Sequence, residues 1–468
     1  MANSNEAALM FLQAVLVMAL WARPSEGHNK SQTTNIYNTN VNVNLSGAFD
    51  TVFAFGDSNT DNGNARLMGN LQGFVGAWLN TLQGASAYNS GTGGAGAGGS
   101  ASAGVGGGAG GSASASGGAG AAGNGGSGGS FSYSWSSNGG GASAPASGSG
   151  QGSGSGSGTK TVRGNGLTNG KLVIDHLCEA LGIPPIPPYH NHSADFSNGA
   201  NFALAGSTAL PGSFFLHNNL LSLMWKTAPQ SFDTQLQWFN NFIQNFKKGA
   251  KTNMNSTLFW LGGVGTSDYA RIHKVATFSS DWLTQQAIDH VSKFIQGIVN
   301  QGAKYVVVQG LPPVGCLPLD LMMSSVTERD QNGCAAKINQ AVMKHNELLQ
   351  QKLGELQKSF PQCVFIYADF WKAYMKVLSQ YHQFGFTEPF KACCGGGNSH
   401  FNFNLKNLCG TPGTNVCADA AKHMIWDGIH FTSAMHNAIT KLFIQGGCTH
   451  PTFEQLVNIV KKGSPNPN

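Results

Sequence analysis

The chain has 468 residues, with 27 lysines and arginines against 22 acidic residues, a net charge of +5. That mild excess is not gathered into basic runs, which argues against a nucleic-acid partner. After the first 21 residues no stretch reaches the roughly 18 apolar residues needed to cross a bilayer.

Ala7 to Trp21 reads AALMFLQAVLVMALW, an apolar run of secretory-signal length, followed by Ser25 and Gly27 as small residues near a cleavage point. The expected layout is a signal peptide over 1–27, a polar tail over 28–47, and the start of a folded domain over 48–83. About 30 of the 64 glycines then fall between Gly84 and Gly158, and no charged residue occurs from Leu67 to Thr159. Such a stretch cannot bury enough apolar surface to offset the entropy of ordering it. Residues 84–160 therefore read as a disordered Gly/Ser/Ala-rich insertion in a surface loop, whose two ends must meet on the folded domain. The domain resumes over 161–463, and 464–468 form a tail.

Within the domain, strands and helices alternate. Thr51-Val-Phe-Ala-Phe55 is a short apolar run ended by glycine, the pattern of a buried parallel strand, and Leu258-Phe-Trp-Leu261 repeats it. Leu283, Ile288, Val291, Phe294 and Ile298 recur at helical spacing after Ser280 or Asp281 as N-cap. The helix stops at Gly302 and a strand follows over Lys304–Val308. A second helix between Cys334 and Leu356 precedes a strand over Cys363–Ala368. Units of this kind build a parallel sheet covered on both faces, whose sites lie at the carboxyl ends of the strands.

Nine cysteines without a Cys-x-x-Cys pair argue against zinc or redox chemistry and suit disulfides in an oxidising compartment. Sequons at Asn29, Asn44, Asn191 and Asn255 would carry glycans in a secreted protein. Cys178, at helical spacing from Ile174 and Leu181, reads as a buried free thiol.

Short blocks far apart in the chain carry the chemistry. Phe55-Gly56-Asp57-Ser58-Asn59 follows the first strand and places a serine at the mouth of the sheet. A serine hydroxyl is a weak nucleophile and needs a base. Trp426-Asp427-Gly428-Ile429-His430 stands just before the last expected helix. An Asp-x-x-His turn can set the carboxylate against one imidazole nitrogen and free the other to take the serine proton.

At these blocks the sequence resembles the GDSL esterase/lipases of the SGNH hydrolase superfamily, in their plant-type secreted branch. The matching segments are Phe53-Ala-Phe-Gly-Asp-Ser-Asn-Thr-Asp-Asn-Gly-Asn64, Asn169-Gly-Lys-Leu-Val-Ile-Asp175, Gly199-Ala-Asn-Phe-Ala-Leu-Ala-Gly-Ser-Thr208, Gly310-Leu-Pro-Pro-Val-Gly-Cys316, Lys391-Ala-Cys-Cys394 and Trp426-Asp-Gly-Ile-His430. The resemblance implies a three-layer α/β/α, flavodoxin-like fold around a parallel sheet of about five strands. It also implies ester hydrolysis through an acyl-enzyme without metal or organic cofactor, on a small-molecule or polymer-linked ester, outside the cell in the apoplast or wall. By position, Ser58 is the implied nucleophile, His430 the general base and acid, and Asp427 its orienting carboxylate. The backbone N–H groups of Ser58 and Gly206 are the implied oxyanion donors. The resemblance is also consistent with a Cys316–Cys334 disulfide and with pairing of Cys393 and Cys394 to Cys409 and Cys417.

The chain departs from the family pattern twice. Where that pattern has Gly-x-Asn-Asp, this chain has Gly263-Val-Gly-Thr-Ser-Asp-Tyr269, so Ser267 replaces the third oxyanion donor and a weakened esterase is expected. The Gly-rich insertion replaces a much shorter connection at the substrate entrance. Phe214, Phe215, Trp225 and Trp260 are candidates for an apolar acyl pocket. Acyl transfer through the same acyl-enzyme, or a non-catalytic wall-binding role on the same fold, are the competing readings.

Overall fold

A computed structural model describes residues 44–68, 167–218, 229–246, 253–263, 265–272, 280–396, 399–404, 407–410 and 413–462. The expected signal peptide, Asn29, the Gly-rich insertion and Trp225 lie outside the described residues. In chain order the strands are β1 (Thr51–Gly56), β2 (Gly199–Asn201), β3 (Thr257–Gly262), β4 (Tyr305–Gln309), β5 (Val364–Ala368), β6 (Glu388–Ala392), β7 (Cys394–Gly395), β8 (Asn415–Val416), β9 (His423–Ile425) and β10 (Thr449–His450). The helices are α1 (Asn64–Leu67), α2 (Val173–Leu181), α3 (Gly212–His217), α4 (Phe232–Phe246), α5 (Thr266–Ile272), α6 (Ser280–Asn300), α7 (Pro318–Met323), α8 (Ala336–Ser359), α9 (Phe370–Ser379), α10 (Ser433–Ile444) and α11 (Phe453–Lys462).

The main sheet has the order β10-β5-β4-β3-β1-β2. Its five inner-to-edge neighbours from β5 to β2 run parallel, and β10 pairs antiparallel with β5. Successive residues of each strand serve opposite faces. Val52, Ala54, Leu258, Trp260, Val307 and Ile366 pack with α2, α9, α10 and α11 on one side. Phe53, Phe55, Phe259, Leu261, Val306 and Phe365 pack with α4, α6 and α8 on the other. Burial on both faces is why these strands read as unbroken apolar runs. The second face is dense in phenylalanine: the Phe53 ring lies 5.2 Å from Phe239 and 5.6 Å from Phe259. Each such buried ring contributes about 1.5–3 kcal/mol relative to exposure.

The parallel part of the sheet has the five strands that the resemblance implies. The sheet gains a sixth strand, because Gly446 and Gly447 end α10 and the chain turns back along β5 as Thr449–His450. Consequently Asp427 and His430 do not precede the last helix: α10 is followed by β10 and then α11, which buries Phe453, Leu456 and Val457 on the first face. The core also starts before residue 48, since Leu45 is buried in the same cluster. Met68 and Leu167, on either side of the Gly-rich insertion, share one apolar cluster with Ala65, Leu204 and Ala205.

In the sheet order, β1 lies between β2 and β3. The chain leaves β1 in one direction to make β2 and returns on the other side to make β3. A crevice opens at the carboxyl ends of strands at such a switch. Ser58, Gly206 and Ser267 follow β1, β2 and β3 respectively.

Candidate active site

The turn after β1 is held from several sides. Gly56 is gripped by one side chain: its N–H donates to Gln235 Oε1 at 3.0 Å, and its carbonyl accepts from Gln235 Nε2 at 2.8 Å. The same Nε2 donates to Ser207 Oγ at 2.8 Å, tying α4 to both β1 and the loop after β2. Ser58 follows, partly exposed. The Asp57 carbonyl accepts the N–H groups of Thr60 and Asp61, closing a tight turn around Ser58.

Two buried carboxylates then join the three loops. Asp61 accepts from the amides of Gly63, Asn64 and Ala65 at 2.8, 2.7 and 3.0 Å, and from Ala205 N–H at 2.8 Å, one residue before Gly206. Asp268 accepts from Ala209 and Leu210 amides at 2.8 and 2.9 Å, and it directly follows Ser267. Asn201 Nδ2 adds a bond to the Thr60 carbonyl at 2.7 Å. Gly206 adopts φ +78, a left-handed conformation that favours glycine. The turns bearing Ser58, Gly206 and Ser267 are thus one hydrogen-bonded unit.

Asp427 and His430 are in direct contact. Asp427 Oδ2 lies 2.7 Å from His430 Nδ1, while Oδ1 accepts from the backbone N–H of Ile429 and His430 at 3.0 and 2.8 Å. Burial opposes charge on His430, yet the Asp427 carboxylate and its hydrogen bond, with a further contribution from Asp57, leave the imidazole above its ordinary pKa of 6.5. Burial would raise Asp427, but the facing imidazole and the two amides hold it below the usual carboxylate value. His430 Nε2 is buried and has no hydrogen-bond partner among the described residues. It is the nitrogen left available for a proton from a third group. Asp57, packed against Gly263, is pushed up to about 7 by burial, offset partly by Asn59 and by the positive field of His430.

The turn carrying Asp427 is itself braced. Cys393 and Cys394 donate their N–H groups to the Ile425 and Trp426 carbonyls at 3.0 and 2.7 Å. Those cysteines form disulfides with Cys417 and Cys409, and Cys316 pairs with Cys334, the pairings consistent with the resemblance. Cys178, Cys363 and Cys448 are buried free thiols. The sulfurs of Cys393 and Cys417 lie near His423, but both belong to one disulfide and offer no thiolate to a metal. Leu319, in the first turn of α7, donates to the Gly428 carbonyl at 3.2 Å and walls the turn on the other side.

The remaining candidates divide. Phe215 is buried with Leu210 and Leu283, with Phe214 and Tyr269 packed on that cluster. Trp260 is buried in the core of the first face, its ring 6.2 Å from that of Phe443 on α10. The described sequon asparagines lie at the surface: Asn44 and Asn255 are exposed and Asn191 is half-buried. The sequence reading did not single out Asp61, Asn201, Gln235 or Asp268. Asp61, Asn201 and Asp268 stand inside the quoted blocks, so their proximity to the site was visible; Gln235 carries no local signal.

A family profile described as GDSL-like lipase/acylhydrolase matches residues 52–443. A GDSL esterase/lipase of Arabidopsis thaliana is 37 % identical over 306 residues, covering 64 % of this chain and 78 % of that protein. Acetylajmalan esterase 2 of Rauvolfia serpentina is 32 % identical over 286 residues, covering 59 % of this chain and 77 % of that protein.

Proposed function

The chain belongs to the GDSL-like lipase/acylhydrolase family and is a carboxylic ester hydrolase, and from that premise we propose that it works through a Ser58-His430-Asp427 triad and an acyl-enzyme. Ser58 Oγ attacks the ester carbonyl as His430 Nε2 takes its proton. Asp427 fixes the imidazole tautomer and stabilises the imidazolium that forms. The negative charge that develops on the carbonyl oxygen is met by the N–H groups of Ser58 and Gly206 and by the Ser267 hydroxyl. The tetrahedral species collapses, the alcohol leaves with the proton held on His430, and Ser58 remains acylated. Water, deprotonated by the same imidazole, then releases the acid and restores the serine. No metal or organic cofactor takes part in these steps.

The observation that carries this reading is the 2.7 Å contact between Asp427 and a buried His430 whose other nitrogen has no partner among the described residues. Ser267 offers one short, rotatable donor where the family pattern has a carboxamide, so the hydrolysis is proposed to be slow for the family. The apolar N-terminal run, the disulfides and the surface sequons support a secreted glycoprotein of the apoplast or cell wall that meets a small-molecule or polymer-linked ester. Its test is hydrolysis of p-nitrophenyl acetate by the purified secreted protein beside Ser58→Ala. Loss of activity in a folded Ser58→Ala protein is the expected result. Equal rates in both proteins would sink the serine mechanism, and product formation only with an added alcohol would turn the reading to acyl transfer.

A further inference from the structure

His345, on α8, is far in sequence from every block that identifies the active site, yet its ring touches both ends of the turn that carries Ser267. On one side the ring lies against Gly265: a Cβ there would stand 2.7 Å from His345 Cε1, and the residue holds φ +118. Only glycine leaves space for the imidazole at that point. On the other side His345 Nδ1 is 2.8 Å from the hydroxyl of Tyr269, whose one proton is donated to Thr284 Oγ1 at 3.1 Å, so the hydroxyl accepts from Nδ1. Gly265 and Tyr269 stand two residues before and two residues after Ser267. The imidazole is completely buried, and burial drops its pKa to about 3, so it is a neutral ring. Thr266 Oγ1 and His345 Nε2 are each buried without a hydrogen-bond partner among the described residues. A buried polar atom left unsatisfied is destabilising. A site selected for packing alone would place an apolar ring here.

We propose that His345 is a positioning residue for ester hydrolysis, its ring wedged between Gly265 and Tyr269 so that Ser267 is held where its short hydroxyl reaches the oxyanion. The proposal rests on the reading of Ser267 as an oxyanion donor. A carboxamide could reach across a loosely held turn. A serine hydroxyl cannot, so its backbone has to be fixed, and Asp268 does this through the Ala209 and Leu210 amides while His345 does it through Gly265 and Tyr269. Displacements of about 1 Å in such a donor cost on the order of 10²-fold in rate.

The test uses the full chain with Tyr269→Phe, Ser267→Ala and their double variant, together with His345→Gln and His345→Leu. Tyr269→Phe keeps the ring and the fold while removing the contact to Nδ1. The expected result is that Tyr269→Phe and Ser267→Ala each lower kcat about ten- to hundredfold with KM nearly unchanged, and that the double variant is little worse than Ser267→Ala. Misplacing a hydroxyl and deleting it lose the same contact. His345→Gln, whose carboxamide can still meet the Tyr269 hydroxyl, is expected to keep more of kcat than His345→Leu. Effects that multiply in the double variant, or that fall on Tm and KM while kcat stays, overturn the proposal and make His345 a packing residue. Unchanged kcat in Ser267→Ala overturns it at its premise. Retained hydrolysis in Ser58→Ala would be a failure of the serine mechanism instead, so the two failures read differently.

Discussion

The Asp61 carboxylate accepts the Ala205 amide N–H at 2.8 Å, and through that bond the turn carrying Ser58 and the loop carrying Gly206 are held as one piece. Four backbone amides, three of them buried, depend on this one side chain. Asp61→Ala strands all four, and each buried unsatisfied donor costs about 1–3 kcal/mol before any relaxation. The expected outcome is a loss of at least about 3 kcal/mol in urea unfolding, together with a kcat that falls further than stability alone explains at temperatures where the variant stays folded. Wild-type stability in Asp61→Ala would show that the loops are held by other contacts.

Ser267 stands immediately before Asp268, whose two amide bonds fix the first turn of α5 against Ala209 and Leu210. A longer donor at 267 would project from an already anchored backbone. Ser267→Asn is therefore expected to raise kcat, within the roughly 10²–10³-fold that one oxyanion donor can supply. A rate that stays level or drops would indicate that this turn is built for the serine and cannot accommodate the carboxamide.

The pH profile follows from the charge around His430. The imidazole must be neutral to take the Ser58 proton, and Asp427 and Asp57 both favour its charged form. The kcat/KM profile is accordingly expected to rise with pH through a midpoint above the ordinary histidine value of about 6.5. Asp427→Asn removes the main stabilising charge, so the midpoint moves down while kcat drops by about 10⁴. Asp57→Asn shifts it in the same direction by less. A midpoint that moves up in either variant would reverse the electrostatic assignment.

The disulfides reach the triad through the backbone. Cys394 donates to the Trp426 carbonyl at 2.7 Å, and Trp426 precedes Asp427. The Cys394–Cys409 bond closes a separation of 15 residues, worth about 3 kcal/mol by chain entropy. Cys394→Ser with Cys409→Ser is expected to lower Tm and kcat together. The Cys316–Cys334 pair braces the segment before α8 and has no hydrogen bond of its own to that carbonyl among those described, and its removal is expected to lower Tm with a smaller effect on kcat. Equal kcat losses from both removals would point to global loosening.

Sequence alone exposed those parts of the molecule whose signal is local. The strands β1, β3, β4 and β5 are buried on both faces and so read as apolar runs, and Asp427 and His430 announce themselves by falling three residues apart in one turn. Strand β2, Gly199-Ala-Asn201, is three residues of small and polar side chains and carries no strand pattern. Thr449–His450 becomes a strand only because β5 offers it an edge. Gln235 grips Gly56 across 179 residues, and His345 reaches Tyr269 across 76. Contacts of that kind exist only once the helices dock, and no spacing rule within a segment can foretell them.

The described residues nearest to the Gly-rich segment on either side, Met68 and Leu167, bear on what its removal would do. Met68 and Leu167 pack in one cluster with Ala65, Leu204 and Ala205, so a short linker can join the two ends without pulling on the Ser58 turn. A coil of Gly84–Gly158 length and composition has a root-mean-square span of roughly 50 Å, and closing such a loop costs entropy that grows only as the logarithm of its length. Replacing Gly84–Gly158 by a few Gly/Ser residues is therefore expected to leave Tm unchanged or raise it by a few degrees. Hydrolysis of p-nitrophenyl acetate should persist, because the small ester needs only the triad and the oxyanion donors. A sharp fall in Tm would mean that the insertion contributes to the folded core. A normal Tm with altered rates on bulky esters alone would make it part of the substrate entrance.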